Sequence, residues 1–108
     1  MPYMLLIVEP PEQRGTRTEA EGREAYATML RFRQGLHERG LLIAGESLKS
    51  AADGARVEVR GGQARVLDGP FAEAKEMIGG YFLLNCASRD EAIALAAECP
   101  AAAWCTVE

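Results

Sequence analysis

Hydrophobic and polar positions along the chain predict four core strands that alternate with two helices. Nearly continuous apolar runs at residues 3–8 and 81–86 are typical of strands that are covered on both faces. A further strand is predicted over residues 41–48, with an interruption at Gly45, and the last strand over residues 103–107. These four segments supply the strands of one small sheet.

The two helices are predicted from apolar residues spaced three and four apart, together with start and stop signals. Thr18 and Glu21 form a capping-box pattern before a helix that continues to about residue 39. Gly40 follows at the position that usually ends a helix. Gly35 lies inside this helix, and we expect it to mark a close packing contact. A second capping-box pattern opens a helix over residues 88–98.

A hairpin lies between the second and third core strands. Residues 56–60 alternate polar and apolar, Gly61 and Gly62 form the turn, and residues 63–67 return. The whole order predicts an α+β fold, the ferredoxin-like split βαβ arrangement with an inserted hairpin. Two helices can cover only one face of such a sheet. The apolar positions of the other face therefore predict a homodimer that packs sheet against sheet.

Composition limits the classes of function. The chain has 108 residues, of which 48% are hydrophobic and 26% are charged, as in an ordinary single globular domain. Its net charge of −4 and its scattered arginines argue against a nucleic-acid-binding surface. The apolar run at residues 4–8 is too short for a membrane span or an export signal, so we expect a cytoplasmic protein without membrane contact. Three cysteines and one histidine predict neither a disulfide framework nor a metal site, and no cofactor is expected.

The stretch Asp68-Gly69-Pro70-Phe71-Ala-Glu-Ala-Lys-Glu, followed by Gly79-Gly80, resembles the signature of the DGPF branch of the YCII-related proteins. The resemblance extends from the opening Tyr-Met-Leu-Leu-Ile through Ala-Gly-Glu-Ser-Leu to the closing Cys-Pro-Ala-Ala-Ala-Trp-Cys-Thr-Val-Glu. It implies that residues 1–108 form a single domain of this family. It also implies a dimeric α/β barrel built from ferredoxin-like subunits, with a pocket between sheet and helices.

The resemblance implies two functions. The first is a small dimeric protein of unestablished activity that binds a small molecule or a partner in the pocket, with a link to sigma-factor-associated stress regulation. The alternative is an acid/base enzyme, an isomerase, lyase or dehydrochlorinase acting on a small oxidised aromatic or lactone. Relatives with a proposed acid/base pair carry a His on the first helix and an Asp before the last proline. Those positions hold Met29 and Cys99 here, so the resemblance favours binding over catalysis.

The candidate ligand-binding residues are Glu46, Asp68, Glu73, Lys75 and Tyr81. Glu46 lies in an otherwise apolar strand and either faces the pocket or points to solvent at an edge. Asp68 cannot form a simple Asx-turn because a proline lies two residues on, so it caps elsewhere or faces a pocket. These two carboxylates are also the candidate catalytic groups. Lys75 either joins a solvated ion-paired segment or holds an anionic ligand, and Tyr81 either packs or donates its hydroxyl. Phe71 is expected to bury its ring.

Overall fold

A computed structural model describes residues 2–108, in which six strands, two helices and three short 3-10 segments follow one another. The strands are β1 (Tyr3–Glu9), β2 (Leu42–Ser47), β3 (Ala55–Arg60), β4 (Gln63–Asp68), β5 (Met77–Leu84) and β6 (Thr106–Val107). The helices are α1 (Glu19–Glu38) and α2 (Arg89–Glu98), and the 3-10 segments are Gln13–Thr16, Ala51–Asp53 and Pro100–Ala103. Neither α1 nor α2 is long and apolar enough to span a membrane.

Four of the strands form one sheet in the order β2-β5-β1-β6, and β3 and β4 form a separate two-stranded sheet. All strand pairs in both sheets are antiparallel. This order is the one expected for a split βαβ arrangement. The mixed α+β fold predicted from the sequence is confirmed, and the strands of residues 2–108 do not close into a barrel.

The core lies between the four-stranded sheet and the two helices. Phe82 and Leu84 of β5 pack with Leu36 of α1 and Leu95 of α2 in one buried cluster. The ring of Phe32 from α1 meets the ring of Phe82 edge-on, with the centroids 5.3 Å apart. Burying each such side chain contributes about 1.5–3 kcal/mol. The core face is therefore the helix-covered face of the sheet.

The boundaries of α1 agree with the signals in the sequence. The Thr18 hydroxyl accepts a hydrogen bond from the Glu21 backbone N–H at 3.1 Å, and the Thr18 N–H donates to the Glu21 carboxylate at 2.9 Å. Gly40 has a φ of 70°, which favours glycine at the helix end. The close contact expected at Gly35 is wrong, because a Cβ built there meets no atom within 4 Å.

Two core strands begin or end at other residues than the sequence predicts. The third core strand begins at Met77 rather than at residue 81, so Gly79 and Gly80 lie within β5. Glycine is depleted in strands, so the apolar pattern alone does not extend the strand back through this pair. The last strand is shortened to Thr106–Val107 because Pro100 opens a 3-10 segment, a position at which proline is favoured.

The β3–β4 hairpin projects from the rest of the chain. Every residue of both strands is exposed. The radius of gyration is 15.8 Å, compared with about 13 Å for a compact chain of about 100 residues. Val57 pairs with Val66 on one face of the hairpin, and these side chains are 63% and 65% exposed. The hairpin thus presents an apolar face that no part of residues 2–108 covers.

The main sheet also has apolar residues on the face away from the helices. Met4 precedes the core residue Leu5 and so points to the opposite face, where it is 46% exposed. Ile78 pairs with Val8 on the same face and is likewise 46% exposed. The sequence-based expectation of uncovered apolar positions on this face therefore agrees with the structure, whereas the dimer itself stays a prediction.

Candidate functional site

A cleft of about 800 Å³ lies between α1 and the helix-facing side of the main sheet. The wall formed by α1 consists of Glu19, Gly22, Ala25, Tyr26, Met29, Leu30 and Arg33. These positions recur three and four residues apart, so they form one stripe of the helix. The opposite wall includes Ile7, Gly45, Ser47, Gly79, Gly80 and Phe82, and Glu9, Arg14, Arg17, Ala101 and Trp104 also line the cleft.

The most buried charged group of the cleft is the carboxylate of Glu9, which forms an ion pair with Arg14. Arg14 Nε donates to Glu9 Oε1 at 2.6 Å, Nη1 donates to the Leu48 carbonyl at 2.7 Å, and Nη2 donates to the Gly79 carbonyl at 3.0 Å. The Glu9 side chain is 6% exposed and that of Arg14 is 32% exposed. One guanidinium therefore links the end of β1, the residue after β2, and β5.

Gly79 accommodates this ion pair. The register of β1 against β5 shifts between Ile7 and Val8. Gly79 is the extra residue of β5 at this shift and has no register partner in β1. A Cβ on Gly79 would lie 2.6 Å from Glu9 Oε1 and 2.8 Å from Arg14 Nη2. A side chain at this bulge would displace the ends of the Glu9 and Arg14 side chains, so glycine here leaves the ion pair undisturbed.

Glu46 and Tyr81 border the cleft and are register partners across β2 and β5. The preceding pair, Gly45 and Phe82, lies on the helix-covered face. Successive strand residues point to opposite faces, so the Glu46 and Tyr81 side chains lie on the face away from the helices. Glu46 is exposed on an edge strand, which is the second of its two predicted placements. The ligand-binding role of both residues stays a prediction.

The other three candidates, Asp68, Glu73 and Lys75, do not line the cleft. Asp68 is the exposed last residue of β4, and Lys75 is exposed as well. Glu73 forms an ion pair with Arg56 of the hairpin instead of with Lys75. Its own backbone N–H and the Arg56 guanidinium lower the pKa of Glu73. Two of the five candidates therefore border the cleft with side chains on the opposite face of the sheet, and three lie between the end of β4 and the start of β5.

Phe71 does not bury its ring in the main core, so the expectation for this residue is wrong. Its side chain is half-buried, and the Arg56 guanidinium lies 4.0 Å from the ring centroid, a cation–π contact. The physical reason is the path of the preceding turn. The Gly69 N–H donates to the Gly54 carbonyl at 2.8 Å, which holds the chain at the base of the hairpin.

Met29 and Cys99 occupy the positions at which relatives carry an acid/base pair. Met29 lines the cleft, and its thioether has no proton to exchange. Cys99 is 2% exposed, and burial raises the pKa of its thiol above the ordinary value. The thiol therefore stays protonated at neutral pH and out of reach of a ligand. Neither residue can supply the acid/base chemistry of that branch.

The sequence pattern does not identify Glu9 or Arg14 as residues of a functional site. Glu9 is the one charged residue among residues 2–108 that is fully buried. The available signal was an acid at the end of an apolar strand, followed by an arginine after a Pro-Pro pair. A charge at a strand end is most often solvated, so this signal alone does not predict burial.

The part of the chain that the structure describes contains no group of three or more His, Cys, Asp or Glu side chains that could hold a metal ion. The absence of a metal and of any cofactor stays a prediction.

Two comparisons with known proteins bear on this site. A family model described as the YCII-related domain matches residues 1–108. A protein of Rhizobium meliloti (strain 1021), described as uncharacterised, is 56% identical over 32 residues. That match covers 30% of this chain and 26% of the relative, so it spans only about a quarter of the relative's length.

Replacement of Arg14 tests whether the Glu9 carboxylate depends on its partner. We expect Arg14→Met to lower the free energy of unfolding by about 3 kcal/mol, because it leaves a buried charge unpaired. The double variant Glu9→Gln/Arg14→Met should recover part of that loss, since no charge then remains buried. Urea unfolding followed by circular dichroism measures both.

The matched control is Arg23→Met, which breaks the exposed ion pair of Arg23 with Glu19 at 2.8 Å. It should cost less than about 0.5 kcal/mol. Equal losses of unfolding free energy for Arg14→Met and Arg23→Met would show that the Glu9 carboxylate is not buried and dependent on Arg14.

Proposed function

The chain belongs to the YCII-related domain family, and from this membership and the cleft we propose that it binds a small molecule between α1 and the main sheet. The observation that carries the proposal is the cleft, whose volume of about 800 Å³ suits a small organic ligand. Its lining combines apolar side chains, among them Ile7, Met29 and Phe82, with several charged side chains. Apolar walls with polar groups that fix orientation are a feature of ligand pockets.

Small residues along the sheet wall support the proposal. A Cβ on Gly45 would lie 2.7 Å from the Phe82 ring, and one on Gly80 would lie 2.9 Å from the Glu46 carbonyl oxygen. With Gly79 at the bulge, three positions of this wall carry no side chain. The space beneath α1 therefore stays open.

We also assign the chain to the DGPF branch, on the Asp68–Phe71 motif, and propose that it acts as a homodimer in the cytoplasm. The hairpin supports the dimer, because its strict alternation predicts one covered face while Val57, Val59 and Val66 are 60–65% exposed. An isolated two-stranded hairpin is marginally stable in water. A second copy of the chain would cover this face and the open face of the main sheet together.

An acid/base enzyme is the second candidate, and Glu9 favours it. A buried carboxylate that borders a cleft is a usual general acid or base, provided that a ligand reaches it. The stress-regulatory role implied by the resemblance would use the same cleft to sense a ligand.

Introduction of a lysine on the apolar face of the hairpin tests the dimer. We expect the wild-type chain to sediment as a dimer at micromolar concentration and Val57→Lys to sediment as the 11.7 kDa monomer, because the lysine would enter the covered face. Glu58→Lys, on the other face of the same strand, should remain a dimer. A monomeric wild type would contradict the dimer, and a dimeric Val57→Lys would exclude the hairpin from the contact.

A thermal-shift screen of small metabolites tests the binding function. A ligand at 100 times its Kd should stabilise the protein by about 2.7 kcal/mol, a clear rise in Tm. Ala25→Trp, which fills the cleft from α1, should abolish the shift. Ala20→Trp, on the exposed first turn of the same helix, should preserve it.

Mass spectrometry of the recovered ligand then separates the two candidates. An unchanged ligand supports binding, whereas a product that Glu9→Gln no longer forms supports the enzyme. A ligand that stabilises Ala25→Trp as much as the wild type would show that its binding site lies outside the cleft.

A further inference from the structure

The stripe of α1 that lines the cleft has a charged side chain at each end, Glu19 at the first turn and Arg33 further along. Ala25, Met29 and Leu30 are apolar, and Arg33 follows them on the same stripe. A cation in an apolar stripe is costly to desolvate unless it has a partner. Arg33 therefore needs a partner that neutralises its charge.

Arg33 uses little of its hydrogen-bonding capacity within the chain. It is half-buried, and its Nε donates to the Gly45 carbonyl at 3.4 Å, near the limit for such a bond. Within residues 2–108 it forms no ion pair, whereas its neighbour Arg31 contacts Glu24 at 3.6 Å. The two terminal nitrogens of Arg33 thus remain available for an acceptor.

The acids that border the cleft do not neutralise Arg33. Glu9 is engaged by Arg14, and Glu19 pairs with Arg23. The side chain of Glu46 lies on the far face of the sheet, as its register shows. The cleft wall at Arg33 is therefore positive in a chain whose net charge is −4.

The second cleft cation without an ion pair, Arg17, differs from Arg33. Its guanidinium lies 5.9 Å from the centroid of the Trp104 ring. Its charge is also one of the causes that lower the pKa of Glu21, although the Thr18 hydrogen bonds contribute more. Arg17 thus already has an aromatic ring and a carboxylate nearby, which leaves Arg33 as the stronger anchor for an incoming anion.

We infer that the ligand of the cleft is an amphipathic anion whose carboxylate pairs with Arg33 and whose apolar body lies along Met29 and Phe82. The inference rests on the proposed binding function. A guanidinium binds a carboxylate through two parallel hydrogen bonds, which fixes orientation as well as charge. Met29 lies one helical turn from Arg33, about 6 Å along the axis, so a one- or two-ring body can contact both walls.

Two probes of equal shape and different charge test this inference. Isothermal titration calorimetry of 2-naphthoate and neutral 2-naphthamide should show that the carboxylate binds at least about tenfold more tightly to the wild type, the value of one charge-assisted contact. Arg33→Gln should remove this preference and leave the affinity for the amide unchanged. Arg31→Gln, which removes the same charge from the outer side of the same helix, should retain the preference.

Arg33→Lys keeps the charge without the planar fork and should retain part of the preference. Thermal melts of all variants show whether each one is folded. The two probes could bind the wild type equally and both lose binding in Ala25→Trp. That result would overturn the inference that the ligand is an anion, and it would leave the cleft as a binding site. Absence of 2-naphthoate binding to the wild type would also overturn the inference, whereas the metabolite screen would still decide the proposed function.

Discussion

Burial of the Glu9 carboxylate is the constraint on which one end of the sheet depends. A carboxylate taken out of water needs a cation and hydrogen-bond donors, and Arg14 supplies both. The remaining donors of the same guanidinium bind the carbonyls of Leu48 and Gly79, so the ion pair holds segments from three parts of the chain together. It also requires a glycine at residue 79, where a Cβ would lie within 2.8 Å of both charged groups. The cleft wall therefore has no side chain at residue 79, because the ion pair occupies that space.

Two apolar faces are left uncovered by residues 2–108. The helices cover one face of the main sheet, and the hairpin face that carries Val57 and Val66 is exposed. A chain of this size buries only about two-thirds of its unfolded surface, so a partner would add stability as well as cover. The cleft and the uncovered face of the main sheet lie on opposite sides of that sheet. A ligand and a second copy could thus bind together without competing for the same residues.

Local signals predicted the fold well, because each of them acts within a few residues. The capping box at Thr18 and the glycine at residue 40 set the ends of α1, and strict alternation with Gly61-Gly62 defined the hairpin. The site was harder to predict, since the contacts of Arg14 join residues 34 and 65 positions apart. The densest cluster of charges in the sequence, at residues 73–76, lies outside the cleft. Its Glu73 forms an ion pair with the hairpin, a contact that depends on the path of the chain after Asp68 rather than on composition.

The central claim is that a ligand binds between α1 and the helix-facing side of the main sheet. Mapping of backbone amide chemical shifts by NMR during titration with 2-naphthoate tests it most directly. The account predicts that the largest shifts belong to residues of both walls, such as Met29, Gly45, Gly79 and Phe82, while the hairpin amides stay unchanged. Shifts confined to the hairpin or to the outer face of α2, with the cleft amides unchanged, would contradict it.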